Sequence, residues 1–124
     1  MNKNEKNSKE NNILSLIPKA EKYIQYIIEM IIKIPRTEKF NIGNEYKLSL
    51  YKMLTNIVGL SKTEESKKIN CLNIVDTELN LQRIYLRIMY KNGWINDKKL
   101  NTCMEQITKK HKKLLDRKIQ NDIY

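Results

Sequence analysis

Arg83 and Arg87 stand one helical turn apart, beside Asp76 and Asn80, with Lys91 at the edge of the same strip. Guanidiniums at this spacing can hold phosphates through planar, bidentate contacts. They can equally face carboxylates at a subunit seam, and the residues alone leave both readings open. A second basic run, Lys109, Lys110, Lys112, Lys113, Arg117 and Lys118, lies toward the C-terminus. Cations near a helix end suit its dipole whatever the function. As phosphate contacts, each would steepen the salt dependence of binding. The chain's 24 Lys+Arg against 14 Asp+Glu give a net charge of +10, an excess that attracts polyanions, nucleic acid foremost.

Little else in the sequence could do chemistry. It holds no P-loop, no Gly-rich dinucleotide turn and no HExxH motif, so phosphoryl transfer, hydride transfer and zinc hydrolysis lack their parts. His111 is the single histidine and falls on an apolar helix line, where a packed structural role is expected. Glu64, Glu65 and Glu78 lack the Glu-x-x-His spacing of a bundle di-metal site. Cys71 and Cys103 form no CxxC pair and read as reduced, buried, small hydrophobes. The expectation is a non-enzymatic protein with no metal, cofactor or small-molecule substrate. The polar start MNKNEKNSKENN is unlike a signal peptide, and residues 23–34 are too short and too interrupted to span a bilayer. A cytoplasmic protein with no membrane partner is expected.

The elements that must position these charges are helical, because no stretch alternates like a strand and only three Gly and two Pro punctuate the chain. Residues 1–15 read as a disordered polar tail. A first helix should start near Leu16 to Pro18, since Pro is tolerated in a first turn, and stop at Pro35. Phe40 is expected to plug the end of the bundle, and Asn41 to cap a second helix ending near Gly59. Ser61-Lys62-Thr63-Glu64 fits a capping box for a third helix that Asn92-Gly93 stops. Asn96 should cap a fourth, and residues 121–124 form a short tail.

The third helix is unusual. Leu72, Val75, Leu79, Leu86 and Met89 make one apolar line, and Ile74, Leu81, Ile84, Tyr85 and Ile88 make a second beside it. A surface helix needs only a ~100° apolar face, so burial on two sides is expected: either against the chain's own bundle and a second copy, or as the central helix of a monomer. Four helices with short connectors give an all-α, antiparallel up-down-up-down bundle over residues 16–120.

The connector IPRTEKFNIG (Ile34 to Gly43) and the run ELNLQRIYLRIMYKNGWIN (Glu78 to Asn96) resemble the accessory variability determinant (Avd) proteins of diversity-generating retroelements. Pro35, Arg36, Lys39, Phe40 and Gly43 stand at the positions of the family's connector. Glu78, Leu79, Arg83, Leu86, Arg87, Gly93, Trp94 and Ile95 stand at those of its helix and turn. The chain departs from the pattern at Asn44-Glu45, at Met89 and in the C-terminal TKKHKKLLDRK. The resemblance implies a barrel-like homopentamer with a basic surface that binds the retroelement's reverse transcriptase, its template RNA and cDNA. It also brings Arg36 and Lys39 into the candidate nucleic-acid-binding set, alongside Arg83, Arg87, Lys91, Lys109, Lys110, Lys112, Lys113 and Arg117. The expected role is that of a non-catalytic partner in mutagenic cDNA synthesis. The alternative is a structural bundle of the related 23S rRNA intervening-sequence type, with no polymerase partner.

Overall fold

The computed structural model describes the backbone of residues 3–62 and 64–123, and the side chains of residues 15–62 and 64–116. Four long helices, α1 (Lys3–Ile32), α3 (Ile42–Leu60), α4 (Glu65–Lys91) and α5 (Asp97–Ile123), are joined by short connectors, the first holding a single helical turn, α2 (Arg36–Lys39). There is no strand among the described residues. The four-helix bundle is therefore the observed fold, with α3 packed between α1 and α4, and α4 between α3 and α5. Cross-helix contacts fix the antiparallel order. Tyr23 on α1 meets Tyr46 on α3, Tyr46 meets Tyr85 on α4, Arg83 on α4 meets Thr108 on α5, and Cys103 on α5 meets Met30 on α1.

The core follows the helical spacing. Ala20, Tyr23, Ile27, Met30 and Ile31 of α1 pack with Tyr46, Leu50, Met53 and Ile57 of α3; the first apolar line of α4 joins them, and Cys103, Ile107 and Leu114 of α5 close the ring. At its centre the packing admits a polar chain. The Tyr23 hydroxyl donates to Gln82 Oε1 at 2.8 Å, which leaves the Tyr46 hydroxyl to donate to Tyr23, also at 2.8 Å. Gln82 Nε2 donates to Ser49 Oγ at 3.1 Å, and Ser49 donates to the carbonyl of Glu78. Buried polar groups are tolerable only when bonded in this way. Burial raises the pKa of both tyrosines well above the ordinary phenol value, and raises that of the Cys103 thiol to about 11. Both cysteines are free, Cys103 buried and Cys71 half-buried.

Several local expectations are corrected. The backbone of α1 begins at Lys3, well before the expected start at Leu16–Pro18, and Pro18 lies inside the helix. Pro18 is exposed, so its ring projects to solvent, while buried Leu16 and Ala20 on either side hold the adjoining turns to the core and offset the missing N–H. The tail expected over residues 1–15 falls almost wholly on side chains outside the described set, as does that over 121–124. Asn41 makes no side-chain cap; Asn44 Nδ2 instead donates back to the carbonyl of Phe40. The capping box is absent as well, because Ser61 Oγ donates to the carbonyl of Val58 and so closes α3 rather than opening α4. Phe40 plugs nothing: it is 67% exposed, because Ile31, Ile34 and Gly43 already close that end of the bundle.

Other boundaries stand as expected. Asn96 Oδ1 accepts from the N–H of Lys99 at 2.9 Å. Gly93, with φ 75°, ends α4: the N–H of Trp94 reaches the carbonyl of Met89 and that of Gly93 the carbonyl of Tyr90, a pairing that requires the left-handed conformation glycine adopts without cost. Trp94 then packs half-buried on the core. The second apolar line of α4 is only partly covered within one chain. Ile84 is 44% and Ile88 40% exposed, and Leu48 on the neighbouring α3 is 61% exposed. No described helix is long and apolar enough to cross a membrane.

Candidate nucleic-acid interface

The antiparallel bundle sorts the candidate cations by height. α1 rises to the connector and α3 descends from it, so Arg36 and Lys39 sit at one end, together with Arg87 and Lys91 near the end of α4. The lysines of α5 sit toward the other end. At ~1.5 Å per residue, Lys113 lies about 24 Å below the start of α5 at Asp97. The structure does not gather the sequence candidates into one patch; it makes two basic regions with a structural arginine between them.

That arginine is Arg83. Its Nη1 donates to Asn80 Oδ1 at 3.3 Å and to His111 Nδ1 at 2.6 Å, and its Nη2 donates to Thr108 Oγ1 at 3.2 Å. A guanidinium can only donate, so His111 Nδ1 accepts and the ring proton sits on Nε2. From there it points at Asp76, 3.0 Å from Oδ1 and 3.3 Å from the backbone carbonyl. Arg83 and His111 thus lock α4 to α5, and His111 has the structural role expected of it. Arg87, one turn on, is exposed and engages no side chain among the described residues. The two open readings of the pair divide: Arg83 is committed within the fold and Arg87 is presented to solvent.

At the connector end, Arg36 is exposed on the first residue of α2, Lys39 is half-buried on its last, and Lys91 is exposed. Tyr90 donates its hydroxyl to Asp97 across the α4–α5 turn, and that carboxylate raises the phenol's pKa.

The opposite end is more crowded. Lys109 is exposed and pairs with Glu105 at 3.4 Å, and Lys112 is exposed. Lys110 is 8% exposed, its ammonium 4.6 Å above the centre of the Tyr23 ring, a cation–π contact. Burial first, and then the charges of Lys113, Lys19 and Lys109, lower its pKa to about 8. Lys113 is exposed, and the neighbouring ammonium of Lys19 depresses its pKa more than its modest burial does. The side chain of Arg117 lies outside the described residues. Lys19 was missed by sequence reasoning, since only the antiparallel docking of α1 on α5 brings it here.

Also missed was the buried carboxylate of Glu78, 6% exposed and 3.7 Å from Lys52. It occupies the margin between the two apolar lines of α4, next to Tyr85, whose pKa is raised by burial and by the charges of Glu45 and Glu78. Among the described residues no group of three or more His, Cys, Asp or Glu could hold a metal ion.

No match is found among curated proteins. The bAvd-like family model matches residues 14–121, a span that contains the connector, the Arg83–His111 lock, the glycine turn and the lysines of α5. The chain therefore belongs to the bAvd-like family, the Avd type of accessory protein.

Proposed function

We propose that the chain is the accessory protein of a diversity-generating retroelement, a homopentameric barrel of bundles whose basic surface binds template RNA and cDNA and which docks the element's reverse transcriptase in the cytoplasm. Residues 16–120 form the bundle domain, and the barrel supplies no catalytic group. The reading rests on family membership, on the net charge of +10 and, above all, on one observation: α4 leaves Ile84 and Ile88 about two-fifths exposed while Leu48 stands out beside them on α3. The Lys52–Glu78 and Tyr46–Tyr85 contacts set the register of these two helices and place Leu48 at the height of this line. Exposed apolar side chains of this kind mark an interface, and a second copy of the same chain presents the matching strip. Arg87, Lys91, Arg36, Lys39 and the α5 lysines then remain on the outside of the assembly to meet phosphates.

Light scattering tests the assembly. The expected mass is several times 14.8 kDa, falling to that of a single chain in the Ile84→Glu, Ile88→Glu double variant. A wild-type monomer at micromolar concentration would overturn the oligomer. Retention of template RNA and of the reverse transcriptase encoded beside the gene tests the partners. Failure to bind either one, with the oligomer intact, would leave a structural bundle in its place.

A further inference from the structure

Near the end of the bundle opposite the connector, a cavity of about 550 Å³ opens between α1, α3, α4 and α5. The volume lies within the ~300–1,000 Å³ of pockets that hold a small ligand. Its floor is aliphatic, formed by Leu16, Ile57, Val75 and Leu114. Its rim is cationic: Lys19 from α1, and Lys109, Lys110, Lys112 and Lys113 from α5, with Asp116 the one carboxylate among the described residues of the lining.

Attraction to a helix dipole does not account for this arrangement. The dipole acts within the last turn, whereas α5 runs on to Ile123, ten residues beyond Lys113. Nor, among the described residues, are all of the charges neutralised in place. Lys109 pairs with Glu105, but Lys110 has a ring beneath it rather than a carboxylate, and Lys113 approaches another ammonium, that of Lys19. Crowding and burial push the pKa of Lys110 and of Lys113 down. Bringing a dianion into the mouth would reverse both effects.

We infer that this cavity receives the phosphorylated 5′ end of a nucleic-acid strand, its terminal phosphate monoester between Lys19 and Lys113 and its nucleoside on the aliphatic floor. The inference rests on the proposed nucleic-acid function and adds to it a site and a chemical preference. A phosphate monoester carries about −1.5 to −2 at neutral pH, whereas each phosphate within a strand carries one negative charge, so a pair of adjoining ammoniums favours an end over an interior. Among the described residues the lining presents no aromatic platform for stacking and one side-chain amide, Gln106, so the end is held without regard to the identity of its base.

The test compares two short single-stranded RNAs of one sequence, with and without a 5′-phosphate, in a fluorescence-anisotropy titration of the full chain at fixed salt. The phosphorylated strand should bind roughly tenfold more tightly, the worth of one good charge-assisted contact, and changing the first base should not alter that ratio. The Lys19→Met, Lys113→Met double variant, with its helical melt checked by circular dichroism, should bring the two affinities together whatever it does to their common part. Competition by a nucleoside monophosphate, hexyl phosphate and inorganic phosphate identifies what the cavity takes. Equal affinity for the two strands overturns the inference and leaves the nucleic-acid reading standing. Binding of neither strand removes that reading, and this one with it. Competition by hexyl phosphate or inorganic phosphate in preference to the nucleotide overturns the nucleotide assignment.

Discussion

Replacing Lys110 by methionine should make the protein more stable, by an amount that depends on pH in a calculable way. The lysine's pKa falls from 10.5 to about 8 in the fold. At ~1.4 kcal/mol per pH unit that fall corresponds to at most about 3–4 kcal/mol spent at neutral pH on keeping a charge in a nearly buried place. Methionine keeps an unbranched apolar stem over the Tyr23 ring but gives up the ammonium–ring contact, worth about 1 kcal/mol. The net gain should be about 1–2 kcal/mol, a rise in melting temperature of about 5 °C for a chain of this size. The sign of the pH effect follows from proton linkage. Below pH 8 the lysine is charged in both states and the wild type carries the full penalty. Between pH 8 and 10.5 the folded chain releases the proton while the unfolded chain keeps it, so wild-type stability rises and the gap between the two proteins closes. Burial sets the window first, and the charges of Lys113 and Lys109 on α5 and of Lys19 on α1 add to it, with Tyr23 facing the ammonium. The raised pKa values of Tyr23 and Tyr46 cost stability above pH 10 in both proteins and cancel in the difference. Urea denaturation of both proteins at pH 7 and at pH 10, at one protein concentration, is the assay. A variant no more stable than wild type at pH 7, or a gap that fails to narrow by pH 10, would refute the reasoning.

Removing Gln82 should cost about 1–3 kcal/mol in the Gln82→Leu variant, read as a lower urea midpoint, because the Tyr23 hydroxyl loses its acceptor and Ser49 its donor in a dry core. Arg83→Gln should lower the melting temperature whereas Arg87→Gln leaves it within about 1 °C, as expected of an exposed residue away from packing; Arg87→Gln should instead reduce the slope of RNA affinity against salt by about one. Gly43→Ala should destabilise by about 1–3 kcal/mol, the cost of overpacking, since its new Cβ would lie 3.0 Å from Ile31 Cγ2 and 3.3 Å from the carbonyl oxygen of Glu38; a denaturation midpoint equal to wild type would show that the connector can give way.

What the sequence revealed, and what it hid, divides along the range of the forces involved. Gly93 and Asn96 were legible because a left-handed turn and an asparagine N-cap are decided within a few residues. Asn41 and Ser61 misled because a short polar side chain has several backbone partners in reach, and the choice depends on where the neighbouring helix has already stopped. Phe40 looked like a plug because it is aromatic and sits at a junction, yet whether a junction needs plugging depends on residues brought in from α1 and α3. Gln82 left a trace: the line Val75, Leu79, Leu86, Met89 has a gap at the position three after Leu79, and a glutamine in that gap implies buried partners. Its partners, Tyr23 on α1 and Ser49 on α3, lie far off in the sequence, so nothing around Gln82 names them. Lys19 left no trace, since its meeting with Lys113 exists only once α1 lies antiparallel on α5.

The arginine pair bears most directly on function, because it separates two uses of one residue type that sequence spacing cannot tell apart. A guanidinium that already donates to Asn80, His111 and Thr108 has few N–H groups left for phosphate, and pulling it out would also release the His111–Asp76 contact between α4 and α5. Arg87 has given up nothing. The same distinction applies at the far end of the bundle, where Lys109 is paired with Glu105 while Lys19, Lys110 and Lys113 crowd one another with no ion pair to a carboxylate among the described residues. Folding alone would select against such crowding, because each like-charged approach costs free energy and replacement by methionine is easy. Where a fold keeps a destabilising charge cluster at the mouth of a cavity, the stability given up is best explained by function, and the ligand expected is the one that restores the missing negative charge.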